Sequence, residues 1–534
     1  MVSFNDLPPE LRLKTLEFVI SSIREDVDLE LTEFPLYHGI GKYAVVNREW
    51  QAFIESVNFR RIMLDEWRLS EFDTVFGGDK RRRMNYVSHI SLELALPEPD
   101  EVDKWTPEDK ILKMQTRNSE ALTRVVWKLF KALTRGGWKL ETTRSRDEAD
   151  GCGVTLEIVL VDEAHITDGP MHPDSLDTEH EATRLLLDDD LKVAIDRKMM
   201  FLPTLDFVRR LCLPAFGKPA LPPKAVLLLA NRLKGLTHLV FERPGDSSDI
   251  LARHVDSELA TILDSLPGTI KCMSFFEEPG DFTPLFATNL EDVEEYLREE
   301  EEGDHYHDCE KQPRVTTIQL VQVLLRRSLS LEKFALSFWV DAVDFLHPFM
   351  KSAKKKGRHQ AKLPVWPNLH TLTLTSFCFR KHHHDTDLNR VLVAAARAAL
   401  RMPKLRTLEI YNVKRGRVDG MFRYTTGDKA SVIKWESPWP FQPSEKVHAA
   451  WSQVARKYTR HDIRCDMSVS VPGSPYFDRS ADAVPLHGLA TRTTALYEIS
   501  ALEYSRQWIS ALEDEEQSET EDEDWETASD SDAS

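Results

Sequence analysis

Apolar positions return along the chain in a short phrase, apolar-x-x-apolar-x-apolar, usually just after a stretch with helical spacing. It reads Val87-Ile90-Leu92, Val208-Leu211-Leu213, Leu236-Leu239-Phe241, Ile270-Met273-Phe275, Leu331-Phe334-Leu336, Leu369-Leu372-Leu374 and Leu405-Leu408-Ile410. A recurring strand fed by a recurring helix predicts stacked repeats, each burying its apolar face against the next. The helical stripes end where helices usually stop. Leu122, Val125, Val126, Leu129, Phe130 and Leu133 run up to Gly136-Gly137, and Leu388, Val391, Leu392, Ala395 and Ala399 up to Met402-Pro403. Successive phrases lie 121, 28, 34, 61, 38 and 36 residues apart, and Val154-Leu156-Ile158 supplies a further strand within the first gap. Parallel strands joined by right-handed crossovers bend such a stack into an arc. The expected fold class is α/β, with a small helical N-terminal unit, an irregular solenoid and a C-terminal cap.

The organisation expected from this pattern has five parts. Residues 1–65 form a helical module, with Leu16, Val19, Ile20 and Ile23 on one helical face, Tyr43, Val46, Trp50 and Phe53 on a second, and Phe59, Ile62 and Leu64 closing the unit. Residues 66–85, ending in Lys80-Arg81-Arg82-Arg83, read as a solvated linker, with nuclear import as the minority reading of the basic run. The solenoid covers residues 86–415. A cap follows over 416–512, with a hairpin of Phe422–Tyr424 and Val432–Trp435 and then a helix capped at Ser444 that carries Val447, Trp451, Val454 and Tyr458. Leu496, Ile499, Leu502 and Ile509 give a last helical pattern. Residues 513–534 hold twelve Asp or Glu, no Lys or Arg and one aromatic, Trp525, a composition expected to be disordered.

Charge and composition narrow the function. The formal net charge is −19, of which the last segment supplies −12. An acidic body with an acidic tail argues against nucleic acid as the main partner, because phosphate binding needs a clustered positive face. No apolar run approaches the roughly 18 residues of a membrane span, and the N-terminus lacks signal-peptide order, so a soluble cytoplasmic or nuclear protein with no membrane contact is expected. Six cysteines lie far apart without a Cys-x-x-Cys pair, which favours free thiols over a disulfide framework or a zinc site. His382-His383-His384-Asp385 and His305-x-His307-x-Cys309 lack a second ligand pair at structural-zinc spacing, and no phosphate loop, Gly-x-Ser-x-Gly or His-Glu-x-x-His occurs. No catalytic residue, metal or cofactor is expected.

Leu7-Pro8-Pro9-Glu10-Leu11, then Val45-Val46-Asn47-Arg48-Glu49-Trp50 and Phe59, resemble an F-box, the helical module by which substrate receptors dock on cullin-RING ubiquitin ligases. The segment from Arg24 to Gly41 is longer than the usual link between the first helices. The phrases, in turn, resemble a degenerate leucine-rich repeat. The usual repeat spans roughly 20 to 29 residues and carries Asn or Cys three positions after the last apolar residue; here Pro244, Trp339, Phe377 and Val413 stand there. Phe422-Arg423-Tyr424-Thr425 and the segment Trp435–Phe441 resemble the C-terminal region of fungal F-box-like proteins. These resemblances imply a non-catalytic substrate-receptor subunit of an SCF-type ligase. Its docking residues for the adaptor subunit would be Leu7, Pro8, Leu11, Val46 and Trp50. The alternative is an interaction scaffold with a vestigial F-box; an enzyme with a site in the insertions comes third.

Side-chain alternation nominates a surface for the unknown target protein. If the second and third apolar residues of each phrase face the core, the residues between and after them face the other side of the sheet. That row comprises His238, Val240 and Glu242; Lys333, Ala335 and Ser337; Thr371, Thr373 and Thr375; and Thr407, Glu409 and Tyr411. Such a mixture suits protein recognition. Plain sheet surface, with binding in loops, is weighed equally.

Overall fold

The computed structural model describes residues 7–8, 10–16, 18, 40–96, 107–135, 153–162, 202–214, 221–243, 249–277, 317–350, 363–379, 384–414, 417–427, 430–437, 439–459 and 462–469. Within them a twelve-stranded sheet follows chain order without a single exchange of neighbours. Its strands are β1 (Arg61–Leu64), β2 (His89–Leu96), β3 (Val154–Asp162), β4 (Val208–Leu213), β5 (His238–Arg243) and β6 (Cys272–Glu277). They continue as β7 (Lys333–Asp341), β8 (Thr371–Thr375), β9 (Thr407–Lys414), β10 (Arg417–Thr426), β11 (Ser431–Ser437) and β12 (Ile463–Val469). Pairing is parallel from β1 to β9, antiparallel through β10 and β11, and parallel again between β11 and β12.

The recurring phrase explains this order. Its second position forms a continuous ladder, Ile90, Leu156, Leu211, Leu239, Met273, Phe334, Leu372 and Leu408, each residue paired with the next. Each is at most 2% exposed. Full burial of such a side chain contributes roughly 1.5–3 kcal/mol, so any one-residue slip would turn the whole row to the wrong face.

The helices are α1 (Arg48–Asn58), α2 (Arg68–Phe76), α3 (Pro107–Arg135), α4 (Pro223–Arg232), α5 (Asp249–Ile262), α6 (Ile318–Ser328), α7 (Ala342–Phe345), α8 (His347–Met350), α9 (Asp385–Ala399) and α10 (Glu445–Tyr458). Because every parallel crossover steps the same way and has the same hand, the intervening helices fall on one side of the sheet. Neighbours in sequence accordingly pack side by side: α4 on α5, α5 on α6, α8 on α9 and α9 on α10. The result is an α/β, solenoid-like layer pair. Gly235 marks one tight joint, since a Cβ there would lie 2.1 Å from the Asp206 carbonyl oxygen, ahead of β4.

The described residues differ from the sequence reading at the N-terminal boundary. Residues 61–64 are a strand, paired with β2 through Arg61–His89, Ile62–Ile90, Met63–Ser91 and Leu64–Leu92. A four-residue run with only Ile62 and Leu64 to show alternation carries too little period to separate strand from helix. Residues 66–85 are not a solvated connector either. They form α2 and a 3-10 helix, Gly78–Tyr86, and bury Phe72, Phe76 and Met84. Arg83 reaches back to Glu55 on α1, with contacts of 3.1 and 2.8 Å, and Arg82 lies 3.4 Å from the same carboxylate. Burial works to raise the Glu55 carboxyl, but the bonds from Arg83 and Gln51 and the nearby charges outweigh it and leave its pKa lowered. Half of the basic run is therefore a tie.

At the other end, the hairpin forms as β10 and β11, and α10 closes over it with Trp451 4.7 Å from the Tyr424 ring and 5.2 Å from Phe422. The reading of the sequence has no counterpart for β12. Residues 305–309, 351–362, 496–509 and 513–534 lie outside the described residues, as do His382 and His383.

Candidate functional site

Two groups of candidate residues occupy different environments. In the N-terminal unit, Leu7 is half-buried and Pro8 exposed; Leu11 follows in the helical residues 10–16 at 48% exposure. A 3-10 turn, Ile40–Val45, then leads into α1 and presents Val45 at 86% and Val46 at 56%. Leu13 and Phe18 are also exposed. Arg12 joins the two segments through Glu49, 3.1 Å away. Trp50 is half-buried, its ring 6.2 Å from Tyr43. Asn47 caps α1: its side-chain oxygen accepts the Trp50 backbone N–H at 2.9 Å, which satisfies one of the helix's orphan donors. In the Val-Asn-Arg-x-Trp phrase, then, Asn has a local folding role, Val46 faces solvent, and Trp50 divides between core and surface.

The row nominated for target contact is arranged as alternation requires, yet most of it is buried. Val240, Glu242, Ser337, Thr371, Thr373, Thr375, Glu409 and Tyr411 are all buried, along with Ala335. His238, Lys333 and Thr407 remain half-buried; they form one register row with Arg210 and Cys272. The expectation of an open polar face is corrected here. Thr373 donates to Glu409 at 3.2 Å, and Arg423, brought in by the antiparallel β10, binds the same carboxylate at 2.7 Å. The Tyr411 hydroxyl donates to Ser337 at 3.0 Å, and burial pushes its pKa up against that bond. Part of the polar row is thus an internal network, completed by Arg423 from outside the row.

An irregularity in β7 helps to cover this network. Pairing with β8 passes from Leu336–Leu374 directly to Asp341–Thr375, so the intervening residues bulge out. Phe338 there has φ 60, a left-handed conformation that a bulky residue rarely adopts. Its amide donates to Thr375 Oγ1 at 2.7 Å. Its ring meets Phe276 and Tyr411 edge-on at 5.9 and 5.8 Å. Asp341 then ties the bulge to its neighbours, accepting from Val343 N, Ser376 Oγ and Phe377 N at 2.7, 3.0 and 2.8 Å.

One constellation was not nominated from the sequence. Arg243 at the end of β5 lies 3.5 Å from Asp256 on α5 and 2.5 Å from Glu277 at the end of β6. Its guanidinium sits 4.4 Å above the Trp339 ring, and the indole N–H donates to Asp256 at 3.1 Å. All four side chains are buried. Burial raises the pKa of Asp256 against the pull of Arg243, and burial with the nearby Asp256 charge pushes Glu277 up to about 7 despite Arg243. Burial thus opposes the ionisation of both carboxylates despite the cation between them. The signal in the sequence is a charge that directly extends an apolar strand, Phe241-Glu242-Arg243 and Phe275-Phe276-Glu277.

Among the described residues no group of His, Cys, Asp or Glu is arranged to hold a metal ion, and no helix is long and apolar enough to cross a membrane. Compared with known families, residues 265–492 match the model described as "Family of unknown function (DUF6546)". That match covers less than half of the chain; it spans β6 to β12 and leaves the N-terminal unit outside. No curated protein and no solved structure matches the chain.

Proposed function

We propose that the chain is the substrate-receptor subunit of an SCF-type ubiquitin ligase. Its N-terminal unit would dock on the adaptor subunit and the degenerate leucine-rich-repeat-like solenoid would hold a target protein. The observation that carries this reading is the exposure of Pro8, Leu11, Val45 and Val46 at the F-box-like positions, together with Leu13 and Phe18. Large apolar groups left in water at the positions of a docking motif favour a partner surface. The pairing of β1 with β2 adds a mechanical reason: a receptor must hold its target at a fixed distance from the ligase, and a shared sheet does so more stiffly than a linker. The contribution is proximity rather than bond chemistry.

With most of the polar row buried, the target contacts of this proposal would lie on its accessible edge, at Arg210, His238, Cys272, Lys333 and Thr407. The deciding experiment is adaptor copurification with the full chain and with its Leu11→Ala/Val46→Ala variant. Interface anchors typically cost about 2 kcal/mol or more on truncation, so the variant should lose the adaptor while its melting temperature stays unchanged. If the unaltered chain retains no adaptor at micromolar concentration, the ligase reading fails and an interaction scaffold takes its place.

A further inference from the structure

An acidic protein carries one basic helical face. Arg117, Arg124, Lys128, Lys131 and Arg135 of α3 follow at intervals of 7, 4, 3 and 4 residues, which at 3.6 residues per turn sets all five along one side. The opposite side, with Leu122, Val126, Leu129 and Leu133, is buried against the sheet. Glu66 contacts two of the cations, Arg124 at 3.0 Å and Lys128 at 2.7 Å. Those bonds hold its pKa down at about 2, yet the side chains of Arg124 and Lys128 remain 54% and 46% exposed. Two tryptophans border the stripe. Trp67 is exposed, and Trp127 lies partly open with the Lys131 ammonium 4.4 Å from its ring centroid. Cations beside open aromatic faces suit a polyanion that also brings an apolar or aromatic group.

We propose that this face of α3 is the docking surface of the chain's own acidic segment, residues 513–534. Its composition is complementary: twelve carboxylates and no cation, with Trp525 set between Asp524 and Glu526. Reach does not limit it. The 44 residues from Val469 to Glu513 can span up to about 145 Å, whereas β3 and β12 are nine strand spacings apart, roughly 43 Å. A tethered segment is present at an effective concentration on the order of millimolar, which favours it over an acidic partner of similar affinity in dilute solution. Docking would screen the stripe from other polyanions. This inference is independent of the adaptor reading.

The test uses the full chain and a carbodiimide, which joins a carboxylate to a lysine amine only where the two are in contact. At about 50 mM salt, links from Lys128 or Lys131 to carboxylates of residues 513–534 should form in the monomer with a yield independent of protein concentration. They should disappear near 1 M salt, where the Debye length is about 3 Å. The Arg124→Glu/Arg135→Glu variant keeps both lysines as reporters and should lower the yield about tenfold, while loss of the exposed Arg124–Glu66 pair shifts stability by no more than about 1 kcal/mol and leaves the melting transition cooperative. A Trp525→Ala chain should lower it less. The proposal is overturned if lysines elsewhere link while those of α3 do not, if the charge-reversal variant links as well as the unaltered chain, or if links form only between two copies.

Discussion

The N-terminal unit and the middle of the sheet show opposite mismatches between residue type and environment. The first leaves Leu11, Phe18, Val45 and Val46 in solvent, whereas β5 to β9 withdraw Glu242, Arg243, Thr373 and Glu409 from it. Among the described residues of the N-terminal unit, Arg12 and Glu49 tie the first helical segment to α1, and these four apolar side chains stay uncovered. In the sheet, each strand is flanked on both sides, and a polar side chain is held by partners from adjacent repeats. Exposure therefore does not follow residue polarity in either place: apolar side chains stand in water at one end, and polar ones are held inside the sheet at the other.

The contrast breaks most visibly if a buried polar position tolerates a large charge. Thr373→Arg would force a bulky second guanidinium into a site with no exposure, beside a Glu409 carboxylate already paired with Arg423, and should destabilise the chain by about 3 kcal/mol or more, read as loss of soluble protein or a collapsed melting transition. A melting temperature close to that of the unaltered chain would show that this face opens readily.

The next effect is a pH dependence. Folding raises the Glu277 pKa from the carboxylate's usual value to about 7, through burial and the Asp256 charge, so the folded state binds its proton more tightly than the unfolded state does. Stability from this group is fully present below about pH 4.5 and is lost as pH rises through 7, on the order of 3 kcal/mol in all. Glu277→Gln should flatten that part of a denaturation curve measured against pH. An unchanged slope would mean that Arg243 already keeps the carboxylate ionised.

At the N-terminal end the expected effects on stability are smaller. Asn47→Ala removes the α1 cap and should cost about 1 kcal/mol, measured by chemical denaturation. Leu11→Ala and Val46→Ala should each change stability by less than about 0.5 kcal/mol, because neither side chain is buried in the free protein. A larger loss would make these residues part of the core and remove the reason to regard them as a partner surface.

The periodic phrase was enough to locate β2 and β4 through β9, because a buried strand row and a helix stripe are both written locally in the spacing of apolar residues. Gly and Pro marked the ends of several helices for the same reason. β1 and β12 are not among these strands: the first is four residues long, and the second, Ile463-Arg464-Cys465-Asp466-Met467, alternates but lacks the apolar-x-x-apolar-x-apolar spacing. Likewise Asn47 was legible as part of a motif but not as a helix cap, which depends on the local backbone.

Alternation determined which residues share the polar face of the sheet; it carried no information about what would cover that face. The partners that bury it are distant in sequence, Thr373 with Glu409 and Tyr411 with Ser337. Their meeting requires adjacent repeats to stack first. The sequence by itself set the period and the register, since a slip would expose a whole apolar row. Only the tertiary structure decided exposure, because burial is a property of the neighbours that long-range packing brings to a residue and not of the residue's own type.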